Sequence, residues 1–197
     1  MNAPAWQPVL DFWFNPGDPS ELAAPGKARA EWFRNDAAFD ATIRARFAGF
    51  VEAALEGGLR DWDATAPGAL ARILLLDQFT RNIYRDTSRA FAGDTLALAA
   101  ADVLIDAGDD RKLPPLQRWF AYLPFEHAED IAMQERAVEL FGLLAEEKPS
   151  LLTALDYAIR HRDVIVRFGR FPHRNAILGR ASSAEETEFL RVPGSGF

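Results

Sequence analysis

The chain has 197 residues, 49% of them hydrophobic and 26% charged, which is near the globular norm and enough to bury one core. Its 29 acidic and 22 basic residues leave a net charge of −7, which argues against sequence-independent binding to nucleic acid phosphates or anionic membranes. It has no cysteine, which excludes disulfides, thiolate nucleophiles, zinc–thiolate sites and iron–sulfur clusters.

The N-terminus from Met1 to Asp11 lacks a basic region followed by an unbroken apolar one, and no later apolar run approaches the roughly 18 residues of a membrane span. A soluble cytoplasmic protein with one domain over residues 1–197 is therefore expected. Apolar residues recur at three- and four-residue spacing, so the fold class is all-α. A short helix is predicted from Pro8 to Phe14, followed by a turn at Asn15-Pro16-Gly17-Asp18-Pro19 and a loop to Gly26. A second short helix is predicted near Lys27–Arg34. Asp36 N-caps a long helix with the stripe Phe39, Ile43, Phe47 and Phe50, ended by Gly57-Gly58. Thr65 and Pro67 start a helix reaching about Arg85, and the next spans Ser88 to Ala107, closed by Gly108. Pro114-Pro115 opens a short helix to about Tyr122, and Pro124 opens a longer one to about Glu147. Pro149-Ser150 separates this from Leu151–Phe168, stopped by Gly169. Ser183 with Glu186 fits a capping box before a last short helix carrying Phe189 and Leu190. Antiparallel helices with short loops give either a bundle or a stack of helix pairs, and no constant period favours the stack.

Polar residues inside apolar arcs are the places to look for a site. On the helix ending near Arg85, Asp77, Arg81 and Arg85 share one side at four-residue steps, with Gln78 and Asn82 beside them. Asp156, Arg160, Asp163 and Arg167 form an alternating stripe typical of a solvated face. On the same helix His161 projects among Tyr157, Ile165 and Phe168, and Arg162 among Leu155, Ala158 and Val166. In the helix predicted from Pro124, His127, Asp130 and Gln134 fall in the arc of Ile131, Val138 and Phe141. His173 lies in Gly169-Arg170-Phe171-Pro172-His173-Arg174-Asn175, so all three histidines belong to this set.

Val9-Leu10-Asp11-Phe12-Trp13-Phe14, Asp77-Gln78-Phe79-Thr80-Arg81-Asn82, Leu123-Pro124-Phe125-Glu126-His127-Ala128-Glu129-Asp130 and the block Arg167–Asn175 resemble, in order, the signature blocks of a bacterial family, domain-of-unknown-function family 924. The resemblance implies a tetratricopeptide-like α–α superhelix despite the missing repeat consensus, and it implies no activity, substrate or catalytic residue. Ala128 departs from the serine found in many members, which weakens any scheme needing a hydroxyl there.

Three functions compete. The first is a binding module in which Arg81, Arg85, Arg162, Arg170 and Arg174 meet a carboxylate or phosphate of a small anionic ligand or acidic peptide. Gln78, Asn82 and Asn175 fix the orientation, and Asp77 belongs to the same set. The second is a hydrolase using His127, His161 and His173 as acid/base groups or metal ligands, with Asp130 as ligand or orienting carboxylate. No metal site is assigned and no cofactor is named, because H-E-x-x-H, G-x-S-x-G, P-loop and dinucleotide patterns are all missing. The third is a buried polar network that only fixes helix register. Lys27, Lys112 and Lys148 are the only lysines. Codon bias accounts for most of the arginines, whereas Arg81, Arg162, Arg170 and Arg174 are the four expected to need a guanidinium fork.

Overall fold

Helical periodicity yields helices: in the computed structural model, which describes residues 3–14 and 29–194, no described residue lies in a strand. The expected turn at Asn15–Pro19, the loop to Gly26 and the residues at the start of the helix expected near Lys27 lie outside the described residues. The described part of that helix is a single 3-10 turn at Ala30–Phe33. Its Trp32 stacks on Trp13 of α1 (Gln7–Phe14) at 5.8 Å and donates its indole N–H to the Trp13 carbonyl at 3.2 Å. Asp36 caps α2 (Ala37–Leu55) by accepting the Ala38 and Phe39 N–H groups, and Gly57, at φ +83°, makes the left-handed turn beyond its end.

Thr65 accepts the Gly68 N–H at 3.2 Å, and Pro67 stands in the first turn of α3 (Ala66–Leu74), as predicted. The helix then widens into a π-helical turn at Leu75–Phe79 and resumes as α4 (Thr80–Ile83), where one continuous α-helix was expected. Residues 68 to 80 are all buried, which is why their apolar side chains point in every direction. A 3-10 turn at Ser88–Phe91 and α5 (Asp94–Asp106) replace the single helix expected over Ser88–Ala107. The break falls at Gly93, where a Cβ would stand 2.1 Å from the Leu76 carbonyl oxygen, so the chain passes the π turn at a distance only glycine permits.

The predicted boundary at Pro124 is corrected. Helix α6 (Pro115–Glu126) runs through Pro124, and α7 (Ile131–Glu147) begins only after Asp130. A proline in the final turn of α6 costs one backbone bond close to where the helix ends anyway. Asp130 sets the start of α7 by accepting the Ala132 and Met133 N–H groups. His127 and Asp130 therefore leave the helical wheel on which the sequence placed them. Gly169, at φ +68°, stops α8 (Leu152–Phe168), and the Ser183–Glu186 capping box opens α9 (Ala184–Phe189). Helix α3 packs against α1, α5 and α6, while α6, α7 and α8 pack in succession. One apolar cluster runs from Val9 to Ala158, and a smaller one joins Val164, Ile165 and Phe171.

Candidate functional site

The widened turn sets up the chemistry, as such turns often do at functional sites. Thr80 Oγ1 donates to the Leu76 carbonyl at 2.7 Å, and Arg81 Nη1 to the Asp77 carbonyl at 2.6 Å, so side chains satisfy the turn's backbone oxygens. The Asp77 carboxylate is 1% exposed; Gln78 Nε2 donates to its Oδ2 at 2.6 Å and Arg81 Nη1 lies 2.9 Å from its Oδ1. From the turn between α6 and α7, His127 Nδ1 meets Asp77 Oδ1 at 2.7 Å. Buried Gln134 steadies that turn, donating its amide to the carbonyls of Glu126 at 2.6 Å and Ala128 at 2.7 Å, which lie at and beyond the end of α6.

Three further elements enclose the cluster: α5, α8 and the loop that follows α8. Asp94, in the first turn of α5, lies 3.0 Å from Arg81 Nη1 and accepts from Arg174 Nη1 at 3.3 Å. The Arg174 guanidinium also lies over the rings of Phe91 and Phe171, at 4.7 and 4.6 Å. Glu129 pins the loop that carries Arg174, accepting the Phe171 N–H at 2.7 Å and the Arg180 guanidinium at 2.6 and 2.9 Å. His161 on α8 donates from Nδ1 to the Tyr157 carbonyl at 2.9 Å, and the same nitrogen stands 3.1 Å from Glu126 Oε1. Its ring lies 6.3 Å from that of His127 and 5.5 Å from Phe171, while His173 lies 5.6 Å from Phe171.

Burial pushes the Asp77 carboxyl up, but Arg81 and His127 together outweigh it and hold the group well below the usual carboxylate range. Burial lowers all three histidines: His161 to about 3, aided by the neighbouring His127, and His173 to about 4, aided by Arg174. His127 is lowered as well, since the Asp77 charge only partly offsets burial. Glu126 moves the other way, pushed up to about 8 by burial and by the charge on Asp77. Burial and the charge on Arg81 bring Arg174 down to about 10. At neutral pH the cluster thus holds an ionised Asp77 beside a neutral Glu126 and three neutral imidazoles. A carbonyl and an ionised carboxylate only accept, so His127 and His161 both carry their proton on Nδ1 and keep an unprotonated Nε2. Such an arrangement can accept a proton at His127 and donate hydrogen bonds to an oxyanion from Arg81 and Arg174.

Of the residues singled out from the sequence, Asp77, Gln78, Arg81, His127, His161, His173 and Arg174 come together here. The others do not. Asn82 and Arg85 both bind Asp40 on α2. Arg162, expected inside an apolar arc, lies at the surface and pairs with the adjacent Asp163, because its long side chain swings clear of the arc its Cα faces. Arg170 pairs with Glu186, and Asp130 is the N-cap of α7. Asn175 is buried but serves the loop, donating to Ser182 and accepting from Arg180. Sequence reasoning missed Glu126, Asp94, Glu129 and Arg180. Glu126 was legible in principle: run as one helix from Pro115, α6 places it one turn after the buried Tyr122 and Leu123. Among the described residues no group of three or more histidine or acidic side chains is arranged to hold a metal ion, the histidine set included. An open groove of about 290 Å³ lies elsewhere, between α8 and the segment after it, lined by Phe168, Phe189 and Val192.

A family model described as a bacterial protein of unknown function (DUF924) matches residues 9–194. The solved structure of a protein of unknown function from Agrobacterium tumefaciens is 41% identical and superposes with a TM-score of 0.81, covering 94% of this chain and 96% of its own. No curated protein matches the chain.

Proposed function

Taking as premise that the chain belongs to the DUF924 family of bacterial proteins of unknown function, we propose that the cluster around Asp77 and His127 binds a small anionic ligand through a carboxylate or phosphate. The observation that carries this is a pair of buried donors without partners, Arg81 Nη2 and Arg174 Nε, on two guanidiniums that share Asp94. Buried donors are nearly always satisfied, and an oxyanion is the partner that suits two forks at once. The Arg81 side chain is 21% exposed and that of His127 15%, which leaves the cluster an approach from solvent. The α–α superhelix implied by the resemblance belongs to this proposal, since its concave side would frame the ligand, and a carboxylate of an acidic peptide would satisfy the same forks.

A thermal-shift series with small carboxylates and phosphates tests the proposal. Wild type is stabilised by at least one of them, while Arg174→Met and Arg81→Met, compared at matched stability, lose that shift. Equal shifts in all three proteins reject it.

One observation favours a second reading, a hydrolase of the acid/base kind. The Asp77–His127 pair has the geometry of a carboxylate that fixes an imidazole tautomer and leaves Nε2 as a base. His127→Gln would then abolish turnover while leaving ligand binding in place.

A further inference from the structure

Among the described residues four acidic side chains are buried: Asp77, Asp110, Glu126 and Glu186. Three of them face cations or several donors. Asp77 has Arg81, His127 and Gln78; Asp110 accepts the Tyr122 hydroxyl at 2.6 Å and faces Arg111; Glu186 accepts the Arg170 guanidinium and the Ser183 N–H. Glu126 is the exception. It is 4% exposed, its one ion-pair partner among the described residues is the His161 imidazole, and its Oε2 has no hydrogen-bond partner. An ionised carboxylate in that position would be a buried charge facing another, Asp77, with no guanidinium to offset it. A neutral carboxyl has a different need, because its O–H must find an acceptor.

His161 does not supply that acceptor at Oε1. The His161 Nδ1 is the donor there, since the Tyr157 carbonyl fixes the proton on that nitrogen. The Glu126 proton therefore belongs on Oε2, the atom without a partner. Its charged and titratable neighbours are Asp77 from the π turn and His161 from α8. Arg81, which pairs with that same Asp77, and Arg174, which shares Asp94 with Arg81, carry the other unpartnered donors of this network. Unpartnered donors within one network call for an oxygen-rich acceptor.

We propose that Glu126 is a ligand-contacting residue of this site, holding its proton on Oε2 and donating it as a hydrogen bond to an oxygen of the bound anion. The inference rests on the reading of the cluster as an anion site and adds a selectivity. A protonated carboxyl accepts a fully ionised oxyanion, whereas an ionised one repels it. Binding then weakens as Glu126 loses its proton, and burial together with the Asp77 charge places that loss near pH 8, where its pKa is pushed up to about 8.

Sulfate is the probe, because its charge is constant across the range of interest. Calorimetric titrations at constant ionic strength compare wild type, Glu126→Gln, Glu126→Leu and Arg174→Met at about pH 6.5 and about pH 9, one unit or more either side of the transition. Wild type binds at the lower pH and loses about tenfold in affinity at the higher one. Glu126→Gln, whose amide donates without titrating, binds alike at both. Glu126→Leu loses about tenfold already at the lower pH. Infrared difference spectra of wild type against Glu126→Gln show the carbonyl stretch of a protonated carboxylic acid at the lower pH. Absence of that band overturns the proposal whatever the binding shows. If Glu126→Leu binds like wild type while Arg174→Met does not, Glu126 is no contact and the anion site stands. If Glu126→Leu does not fold, the pH comparison of wild type with Glu126→Gln decides, and equal pH sensitivity rejects the role. Failure of wild type to bind sulfate, or undiminished binding by Arg174→Met, defeats the anion site and the Glu126 contact with it.

Discussion

Two buried carboxylates with arginine partners sit at opposite extremes of satisfaction. At the start of α9, Glu186 takes both nitrogens of the Arg170 fork at 2.6 and 2.8 Å, accepts the Ser183 N–H at 2.7 Å, and has its own N–H capped by Ser183 Oγ at 3.1 Å. Direct hydrogen bonds from Arg170 and Ser183 hold that carboxyl down to about 2. Both oxygens of that carboxylate have partners, from the Arg170 fork and the Ser183 cap. Around Asp77 the partners come from α4, α5, the α6–α7 turn, α8 and the C-terminal loop, and Arg81, Arg174 and Glu126 still retain unpaired buried atoms. A structural network closes on itself, whereas a network assembled from five segments and left with unpaired atoms is the one that the proposed anion would complete.

The sharpest way to break this contrast is to remove one cation from each network. Arg81→Ala strands Asp77 as a buried charge and is expected to cost about 3–5 kcal/mol in urea denaturation. Arg170→Ala, whose guanidinium is one-third exposed, is expected to cost about 1 kcal/mol. Equal losses would mean that the central cluster is no more demanding than the cap.

The pH dependence of stability separates the two regions next. His161 and His173 have folded values of about 3 and about 4 against 6.5 unfolded, so the unfolded chain binds more protons below pH 6.5 and stability is lost as pH falls through that window. Glu126 has a folded value of about 8 against 4.5, so the folded chain binds the extra proton and stability is lost as pH rises from about 4.5 through 8. Chemical denaturation should therefore show a maximum between about pH 6 and 7, the two histidine contributions outweighing the single acid below it. Glu126→Gln should flatten the alkaline limb, on the order of a few kcal/mol, and steepen the acid limb between about pH 4.5 and 6.5, where Glu126 no longer offsets one of the histidines. An unchanged alkaline limb would place its cause outside the cluster.

Gly93→Ala probes how the cluster is assembled. The added Cβ would meet backbone, the Leu76 carbonyl at 2.1 Å, which cannot swing aside as a side chain can. A loss of about 1–3 kcal/mol is expected, with Asp94 drawn away from Arg81. The accompanying sign is a weaker response to anions in the thermal-shift series, which overpacking far from the site would not produce. Ser183→Ala, in the closed network, is expected to cost about 1 kcal/mol with no change in that response.

Which parts were legible follows from range. The caps at Asp36, Thr65 and Ser183 and the stops at Gly57, Gly108 and Gly169 depend on neighbours within four residues, and the sequence carries that information in full. The π turn is different, since nothing in Leu75–Phe79 distinguishes it from α-helix until Gly93 and Thr80 close on its carbonyls. The boundary at Pro124 failed because proline signals both a helix start and a tolerated place in a last turn, and here the Asp130 cap decides. With that boundary misplaced, the wheel put Asp130 in the core and never tested Glu126. His127 was selected on a wheel it does not occupy, so its place in the site comes from the turn held by Gln134.

Arg162 gives the smallest effect and the cleanest test of the arginine argument. From the sequence it and Arg174 looked alike, as forks that lysine could not replace. In the fold Arg174 is 6% exposed, lies over two phenylalanine rings and shares Asp94, whereas Arg162 reaches solvent and pairs with its neighbour Asp163. A solvated ion pair between adjacent residues is worth little, and an ammonium serves it as well as a fork does. Arg162→Lys should therefore change stability by no more than about 0.5 kcal/mol, and Arg174→Lys by more, because a point charge on a flexible stem covers neither ring nor fork. Equal effects at the two positions would mean that the arginine content reflects codon usage at both.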